Sequence, residues 1–370
     1  MPRWTDIVAG LPATVPFVGP ETQERALGHA FAARLGANES VFGPSPNAVT
    51  AMTEAAAEVW KYGDPEGFEL KTALARHHGV APENIVLGEG IDGLLGLIAR
   101  LVVAPGVPVV TSAGAYPTFN YQISGAGGIV HTVPYRDDAE DPDALLAKAK
   151  AVDAALVYLA NPDNPMGSWL DAARIAALID GLPDGALLCL DEAYCDFAPA
   201  DAVPPLDMRS ERVLRLRTFS KGYGLAGARI GYALGAAPVI AMFDRIRNHF
   251  GINRVAQAGA LAALADQDYL ARTVDKVAAA RRELAAIGAR HGVRALPSAT
   301  NFVTFDCGRD GGFARRVVVE LARRRVFVRM PFVAPEDRCI RVTAGRPGDL
   351  ARLDAALPAA LAAAGENVAG

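Results

Sequence analysis

Short apolar runs alternate with amphipathic helical patterns through the middle of this 370-residue chain. This alternation is typical of βαβ units, which fold into a mostly parallel sheet covered by helices. The expected strands are Asn84–Leu87, Pro108–Thr111, Ile129–Val133, Ala155–Leu159, Ala186–Leu190, Val213–Leu216 and Ala228–Ala233. In open α/β sheets, ligands bind at the carboxyl ends of the strands. We therefore expect the functional residues to follow the strands.

The chain after residue 265 has a different pattern, which predicts a smaller α+β domain. The expected elements are a long helix at Ala271–His291, strands at Asn301–Phe305, Val326–Arg329 and Cys339–Val342, and a closing helix at Asp349–Ala364. Leucines recur in the closing helix at helical spacing, although Pro358 should bend or interrupt it. We expect three parts: residues 1–44 form an N-terminal arm and part of the small domain, residues 45–265 form the large cofactor-binding domain, and residues 266–370 form the small C-terminal domain.

Composition excludes several classes of function. A formal net charge of −4 gives no electrostatic reason to expect nucleic acid or an anionic membrane as a partner. No apolar run reaches the roughly 18 residues of a membrane span, and the N-terminus does not read as a signal peptide, so we expect a cytoplasmic protein. The four cysteines form no C-x-x-C pair and the histidines show no H-x-x-x-H spacing. We expect no metal site.

One lysine stands in an unusual setting. The stretch from Thr218 to Tyr232 places Lys221 just after a strand, with hydroxyls before it, glycines behind it and Arg229 downstream. A lysine in this position can form a Schiff base, while hydroxyls and a guanidinium can hold a phosphate. These are the groups that pyridoxal phosphate (PLP) chemistry requires.

Polar residues also follow two of the expected strands. Asp191 ends one strand and Tyr194 comes three residues later, while Asn164 lies in an Asn-Pro-Asp-Asn-Pro-Met-Gly stretch after another strand. An aspartate at a strand end is also common as a helix cap, and an Asn/Pro stretch is also common as a turn. Taken alone, each position therefore leaves both interpretations open.

The order of these motifs resembles the class I/II, fold-type I, PLP-dependent aminotransferases. The motifs are Asn-Pro-x-Gly, then Asp-x-x-Tyr, then Ser-Lys with an arginine eight residues on. The resemblance extends from Asn38 to Gly345, and the chain looks most like the histidinol-phosphate aminotransferase branch. The resemblance implies a large domain with a mostly parallel seven-stranded sheet and a smaller α+β domain. It also implies PLP as cofactor and transfer of an amino group from an amino acid or amine to a 2-oxo acid.

The resemblance implies a role for each matching residue. Lys221 would carry the cofactor and move the substrate proton, and Asp191 would pair with the ring nitrogen. Tyr194 and Asn164 would contact the phenolic oxygen, and Phe119 would stack on the ring. The residues implied at the cofactor phosphate are Ile91, Asp92, Thr218, Ser220, Arg229 and, from the neighbouring subunit, Tyr62. A homodimer is therefore expected.

Substrate recognition is the less determined part of the resemblance. Arg341 matches the residue that binds the α-carboxylate, with Asn164 beside it, and Arg329 matches a position that binds a distal phosphate. Relatives commonly have a tyrosine in the N-terminal arm near that phosphate, whereas this chain has Phe17 in Pro16-Phe17-Val18-Gly19-Pro20. Histidinol phosphate and an aromatic amino acid are both open as donors. A decarboxylase of the threonine-phosphate type is the alternative activity, and a non-catalytic PLP-binding regulator is a further alternative.

Overall fold

The computed structural model of the protein describes residues 2–12 and 17–366. In chain order, strands β1 to β12 are Ala33–Arg34, Ile85–Gly88, Pro108–Ser112, Ile129–Val133, Leu156–Ala160, Leu187–Asp191, Val213–Thr218, Gly231–Leu234, Arg294–Ala295, Phe302–Asp306, Val326–Phe327 and Cys339–Thr343. Helices α1 to α13 are Asp6–Gly10, Pro20–Leu27, Pro46–Ala56, Phe68–His78, Gly90–Val102, Pro117–Gly125, Pro142–Val152, Ala172–Gly181, Ala237–Ala241, Arg254–Ala265, Gln267–Arg290, Gly311–Arg323 and Pro347–Glu366. None of the helices in this described part has the length and apolar character needed to cross a membrane.

The central sheet has seven strands in the order β2-β8-β7-β6-β5-β3-β4. Strand β8 runs antiparallel to both of its neighbours, and the other pairs are parallel. Strands β5 and β6 are buried along their whole length, which is why they read as continuous apolar runs. The predicted mostly parallel sheet is confirmed, and the observed strand ends lie within three residues of the expected ones.

A second body is built around a three-stranded antiparallel sheet in the order β12-β10-β9. The short strand β1 pairs in parallel with β11, so the N-terminal segment joins this body. Ala33 and Leu35 accordingly pack in one hydrophobic cluster with side chains of α11, β10 and α13.

The closing helix differs from the expectation at Pro358. Pro358 was expected to bend or interrupt this helix, and helix α13 continues through it to Glu366 without interruption. Pro358 lies on the exposed face, while Leu353 and Leu357 are fully buried on the opposite face. Packing of that apolar face holds the helix together despite the missing N–H group.

Candidate active site

The predicted site residues converge on one cavity of about 570 Å³, between the carboxyl ends of β5 to β7 and the second body. The predicted residues that line it are Ile91, Asp92, Asn164, Asp191, Tyr194, Thr218, Ser220, Lys221, Arg229, Arg329 and Arg341. They come from separate parts of the chain, and the parallel sheet brings them together because its strands end at the same edge.

Lys221 follows β7 and extends into the cavity. Its Nζ donates a hydrogen bond of 3.0 Å to the backbone oxygen of Asn38 and lies 5.6 Å from the centre of the Tyr194 ring. Burial, with a smaller contribution from the nearby Arg341 guanidinium, lowers the pKa of Lys221 to about 8. A large fraction of this amine is therefore neutral near pH 8, as a nucleophile or a general base requires.

Asp191 is the last residue of β6 and is almost completely buried. One carboxylate oxygen accepts the Ala193 N–H at 2.9 Å, and the other accepts the Tyr158 hydroxyl at 2.8 Å. Burial raises the pKa of Asp191 to about 6, while the Tyr158 hydrogen bond opposes that rise. The site therefore has a carboxylate that is fixed by two donors and can pair with a cationic ring nitrogen.

Asn38 connects Lys221 to the second body. Its side-chain amide donates to the Tyr194 hydroxyl at 3.0 Å, and its backbone oxygen accepts from both Lys221 and the Asn301 side chain. Thr343 donates to its side-chain oxygen at 3.1 Å. Asn38 adopts a φ of 55°, a left-handed conformation that asparagine tolerates better than most residues. Sequence reasoning treated Asn38 only as the start of a motif and missed this role.

The end of the cavity near α5 is suited to an anion. Helix α5 begins at Gly90, so the N–H groups of Ile91 and Asp92 lie in its first turn. A Cβ at Gly90 would lie 2.5 Å from Arg229 Nη2, so glycine keeps the guanidinium close to the helix start. Arg229 Nη2 also donates to Asp92 at 3.4 Å.

Two hydroxyls lie at the end of β7 and at the start of the loop that carries the lysine. Thr218 Oγ1 donates to Ser220 Oγ at 2.9 Å and accepts from the Ser220 N–H at 3.0 Å. Helix N–H groups, hydroxyls and a guanidinium together form a donor set for a phosphate.

Two arginines enter the cavity from the second body. Arg329 and Arg341 face each other in an antiparallel bridge, with the Arg341 N–H donating to the Arg329 oxygen at 2.6 Å. Arg341 Nη1 donates to the Asn164 side-chain oxygen, and Arg341 Nη2 donates to the Gly36 oxygen at 3.2 Å. The buried Nε atoms of both arginines have no hydrogen-bond partner among the described residues. Donor capacity therefore remains in this wall of the cavity.

Two predicted residues do not line this cavity: Phe119, and Tyr62, which was expected at the cofactor phosphate of the neighbouring subunit. Phe119 is 1 % exposed and stacks on Tyr158 with ring centres 4.4 Å apart, so it lies behind the cavity wall rather than in it. The aromatic ring of that segment that does line the cavity is Tyr116, which donates to Asp92 at 2.8 Å. Tyr62 is 75 % exposed and stacks on Phe250, outside the cavity.

The residues present fit the cofactor that the sequence implies. PLP has an aldehyde, a pyridine nitrogen and a phosphate, and the cavity offers one amine, one buried carboxylate and one donor-rich anion site. Lys221, Asp191 and the α5 end supply these three groups, and Gly90 leaves space at the third.

Comparisons with known proteins agree with this geometry. A family model for aminotransferase class I and II matches residues 33–357. Histidinol-phosphate aminotransferase 1 of Mesorhizobium japonicum is 37% identical over 88% of this chain and 89% of its own length. Histidinol-phosphate aminotransferase 2 of Ralstonia nicotianae is 38% identical over 90% and 89%.

Solved structures show the same relationship. A crystal structure of the histidinol-phosphate aminotransferase from Sinorhizobium meliloti, in complex with PLP, has a TM-score of 0.96 and 53% identity over 98% of both chains. Aspartate aminotransferase from Thermus thermophilus, at 21% identity and a TM-score of 0.83, shares the fold over 98% of this chain and 100% of its own. The predicted fold, enzyme class and PLP cofactor are confirmed, and the decarboxylase alternative is not favoured. By its sequence and its fold, this chain belongs to the class I and II aminotransferase family.

Proposed function

We propose that this aminotransferase takes its amino group from histidinol phosphate and passes it to a 2-oxo acid. The observation that carries the proposal is that two arginines, Arg329 and Arg341, are paired through their backbones and both line the wall of the cavity. In histidinol phosphate, a phosphate ester group replaces the α-carboxylate of an amino acid. A phosphate dianion can accept hydrogen bonds from two guanidinium groups at once. The named relatives from Mesorhizobium and Ralstonia support the same donor.

The N-terminal arm changes the setting of Arg329. The Phe17 ring lies 3.7 Å from the guanidinium carbon of Arg329, and Arg329 Nη2 donates to the Val18 oxygen at 2.5 Å. Phe17 lacks the hydroxyl that relatives place near a distal phosphate, but its ring face stabilises the cation. Pro16 lies outside the described residues. We propose that phosphate recognition here depends on the two arginines rather than on a phenol.

We propose the following roles for the residues around the cofactor. PLP, when bound, supplies an electron-accepting ring that makes the donor Cα–H acidic. The Lys221 amine takes that proton and returns it, since its lowered pKa of about 8 leaves much of the amine neutral. Asp191 keeps the ring nitrogen protonated. Asn164 and Tyr194 contact the phenolic oxygen and orient the ring, and Phe119 remains the proposed stacking residue, with Tyr116 as a further aromatic side chain in the cavity lining.

We propose that Ile91, Asp92, Thr218, Ser220 and Arg229 hold the cofactor phosphate. The helix start, the two hydroxyls and the guanidinium lie around one end of the cavity, which supports this assignment. Arg341 binds the α-carboxylate of the 2-oxo acid in the second half of the reaction, because a bidentate guanidinium fixes such a group in one orientation.

An Arg329→Met variant tests the donor assignment. Steady-state kinetics would compare histidinol phosphate with histidinol, which lacks the phosphate. The efficiency with histidinol phosphate should fall roughly 10- to 100-fold, because a charge-assisted hydrogen bond contributes about 1.5–3 kcal/mol. The efficiency with histidinol should change little.

An Arg323→Met variant is the matched control. Arg323 lies at the exposed end of α12 and pairs with Glu320 at 2.6 Å, away from the cavity. It should leave both efficiencies unchanged. Equal losses for the two donors in Arg329→Met, or no loss for either, would contradict phosphate recognition by Arg329.

We further propose a homodimer in which Tyr62 reaches the cofactor phosphate of the partner subunit. Tyr62 is exposed, stacks on Phe250 and lies outside the cavity of its own chain, and Val59, Trp60 and Phe68 are also exposed in this part of the sequence. An apolar patch of this kind on a water-exposed surface is typical of an interface between proteins.

The three-part division at residues 44 and 265 also remains a proposal, supported by the β1–β11 pairing. A cytoplasmic location is proposed as well, since all four cysteines are free.

A further inference from the structure

Tyr158 is a fully buried tyrosine at the floor of the cavity. It lies on β5, whose residues Tyr158 and Ala160 pair with Cys189 and Asp191 of β6. In a sheet, alternate residues of a strand point to the same face, so Tyr158 and Asp191 are diagonal neighbours on one face. The Tyr158 hydroxyl donates to Asp191 Oδ2 at 2.8 Å.

The tyrosine ring is held rigidly. Phe119, which is 1 % exposed, stacks on Tyr158 with ring centres 4.4 Å apart and an interplanar angle of 21°. A ring packed in this way keeps its hydroxyl at one position, so the hydrogen bond to Asp191 is preorganised. Phe119 therefore acts on the site through Tyr158.

The second oxygen of Asp191 is held from another direction. The Ala193 N–H donates to Oδ1 at 2.9 Å, so each oxygen of this carboxylate has one donor from the protein. Two donors favour the ionised form of a carboxyl group, whereas its burial favours the neutral form. The balance between these effects decides whether Asp191 carries a charge.

We propose that Tyr158 is a positioning residue that keeps Asp191 ionised and aimed at the pyridine nitrogen of PLP. Without the hydroxyl, the buried Asp191 would hold a proton more readily and would lose one of its two fixed contacts. A neutral carboxyl group attracts a protonated ring nitrogen much less than a carboxylate does. This inference depends on the cofactor and not on the proposed donor.

The test is the affinity of the apoprotein for PLP in a Tyr158→Phe variant, which removes one oxygen atom and keeps the ring. PLP should bind roughly 10- to 100-fold more weakly at pH 7.5, as for loss of a hydrogen bond to a charged group. The same titration would use a PLP analogue with carbon in place of the ring nitrogen. That analogue should bind wild type and variant within about threefold, because it offers Asp191 no cationic partner.

Two further variants separate positioning from a general loss of structure. Tyr232→Phe is the matched control, because Tyr232 is a buried tyrosine of the same sheet whose hydroxyl bonds His78 at 2.8 Å away from the cavity. It should bind PLP like wild type. In an Asp191→Asn background, adding Tyr158→Phe should weaken PLP binding no further, because the two residues act as one unit.

Three results would overturn the proposal: unchanged PLP affinity in Tyr158→Phe, equal weakening for PLP and its analogue, or a full additional loss in the Asp191→Asn background. Histidinol phosphate takes part in none of these titrations. Failure of the donor assignment and failure of this inference are therefore distinguishable.

Discussion

Lys221 shows how burial prepares a single residue for chemistry. Its pKa is lowered to about 8, mainly by burial and secondarily by Arg341, whereas a lysine in a small peptide has a pKa of about 10.4. We expect the apoprotein to react at Lys221 with a neutral acylating reagent at a rate that rises through pH 8 and then levels off. Peptide mapping by mass spectrometry would follow the modification. A rate still rising steeply above pH 9 would contradict the lowered pKa.

Glu140 and Asp163 form a buried acidic pair behind the cavity. Burial raises the pKa of Asp163 to about 7 and the pKa of Glu140 well above its usual range, with the proximity of Asp163 adding to the second effect. A raised carboxyl pKa in the folded state means that stability falls as the pH rises through that value. Glu140 accepts from the Ala160 N–H through one oxygen and from the Ser112 hydroxyl through the other. Glutamine can accept the first bond through its oxygen and replace the second by donating from its amide to the Ser112 oxygen.

We therefore expect Glu140→Gln to be more stable than wild type at pH 8, by about 1–3 kcal/mol. The difference should shrink at pH 5, where the wild-type pair holds its protons. Urea unfolding at both pH values would measure it. Glu320→Gln should have the opposite sign at pH 8, because hydrogen bonding to Arg324 lowers the pKa of Glu320. A Glu140→Gln variant that is less stable than wild type at pH 8 would contradict the account.

Residues at strand ends were predictable from sequence, whereas residues within strands were not. Lys221, Asp191 and Asn164 stand out because polar groups follow apolar runs there. Tyr158 lies inside an apolar strand and reads as core. Tyr116 and Phe119 are three residues apart near the start of one helix, and sequence alone does not show which ring faces the cavity.

At the scale of elements, α13 persists through a proline in its interior. Pro358 is exposed and provides no N–H for the carbonyl four residues earlier. We expect Pro358→Ala to raise the free energy of unfolding by about 1–3 kcal/mol. A proline in a helix interior costs about 3 kcal/mol, and the stability that proline adds by restricting the unfolded chain is smaller than this cost. Chemical denaturation would measure the change. A less stable variant would contradict this expectation and would mean that Pro358 stabilises the folded helix by more than its missing N–H group costs.

A prediction from local helix propensity overestimates the effect of Pro358, because it leaves out tertiary packing. Local propensity predicts an interruption, but the buried faces of Leu353 and Leu357 are tertiary contacts that no local rule includes. The strands of the central sheet were easier to predict, because strands buried on both faces give continuous apolar runs with distinct ends.

For the molecule as a whole, the proposed dimer depends on five exposed apolar side chains, Val59, Trp60, Tyr62, Phe68 and Phe250. We expect Trp60→Asp to shift the protein from dimer to monomer in analytical ultracentrifugation, because an interface core does not tolerate an unpaired charge. Weaker PLP binding should accompany dissociation.

Trp4→Asp is the control for that experiment, because Trp4 is also exposed but lies in the N-terminal segment. It should remain a dimer. A monomeric wild-type protein, or a Trp60→Asp variant that stays dimeric, would contradict the proposed interface.

The fold of one chain was largely predictable from alternating elements. The interface was implied only by resemblance, since the exposure of a side chain becomes visible only in three dimensions.

A half-reaction identifies the amino donor and establishes transamination in one experiment. The PLP-loaded protein would be mixed with histidinol phosphate, and separately with phenylalanine, tyrosine, leucine and aspartate, while the visible spectrum of the cofactor is followed. We expect stoichiometric conversion to the pyridoxamine form with histidinol phosphate, at a rate well above that with the amino acids. Conversion by phenylalanine or tyrosine but not by histidinol phosphate would contradict the proposed donor, and no conversion by any compound would contradict the aminotransferase itself.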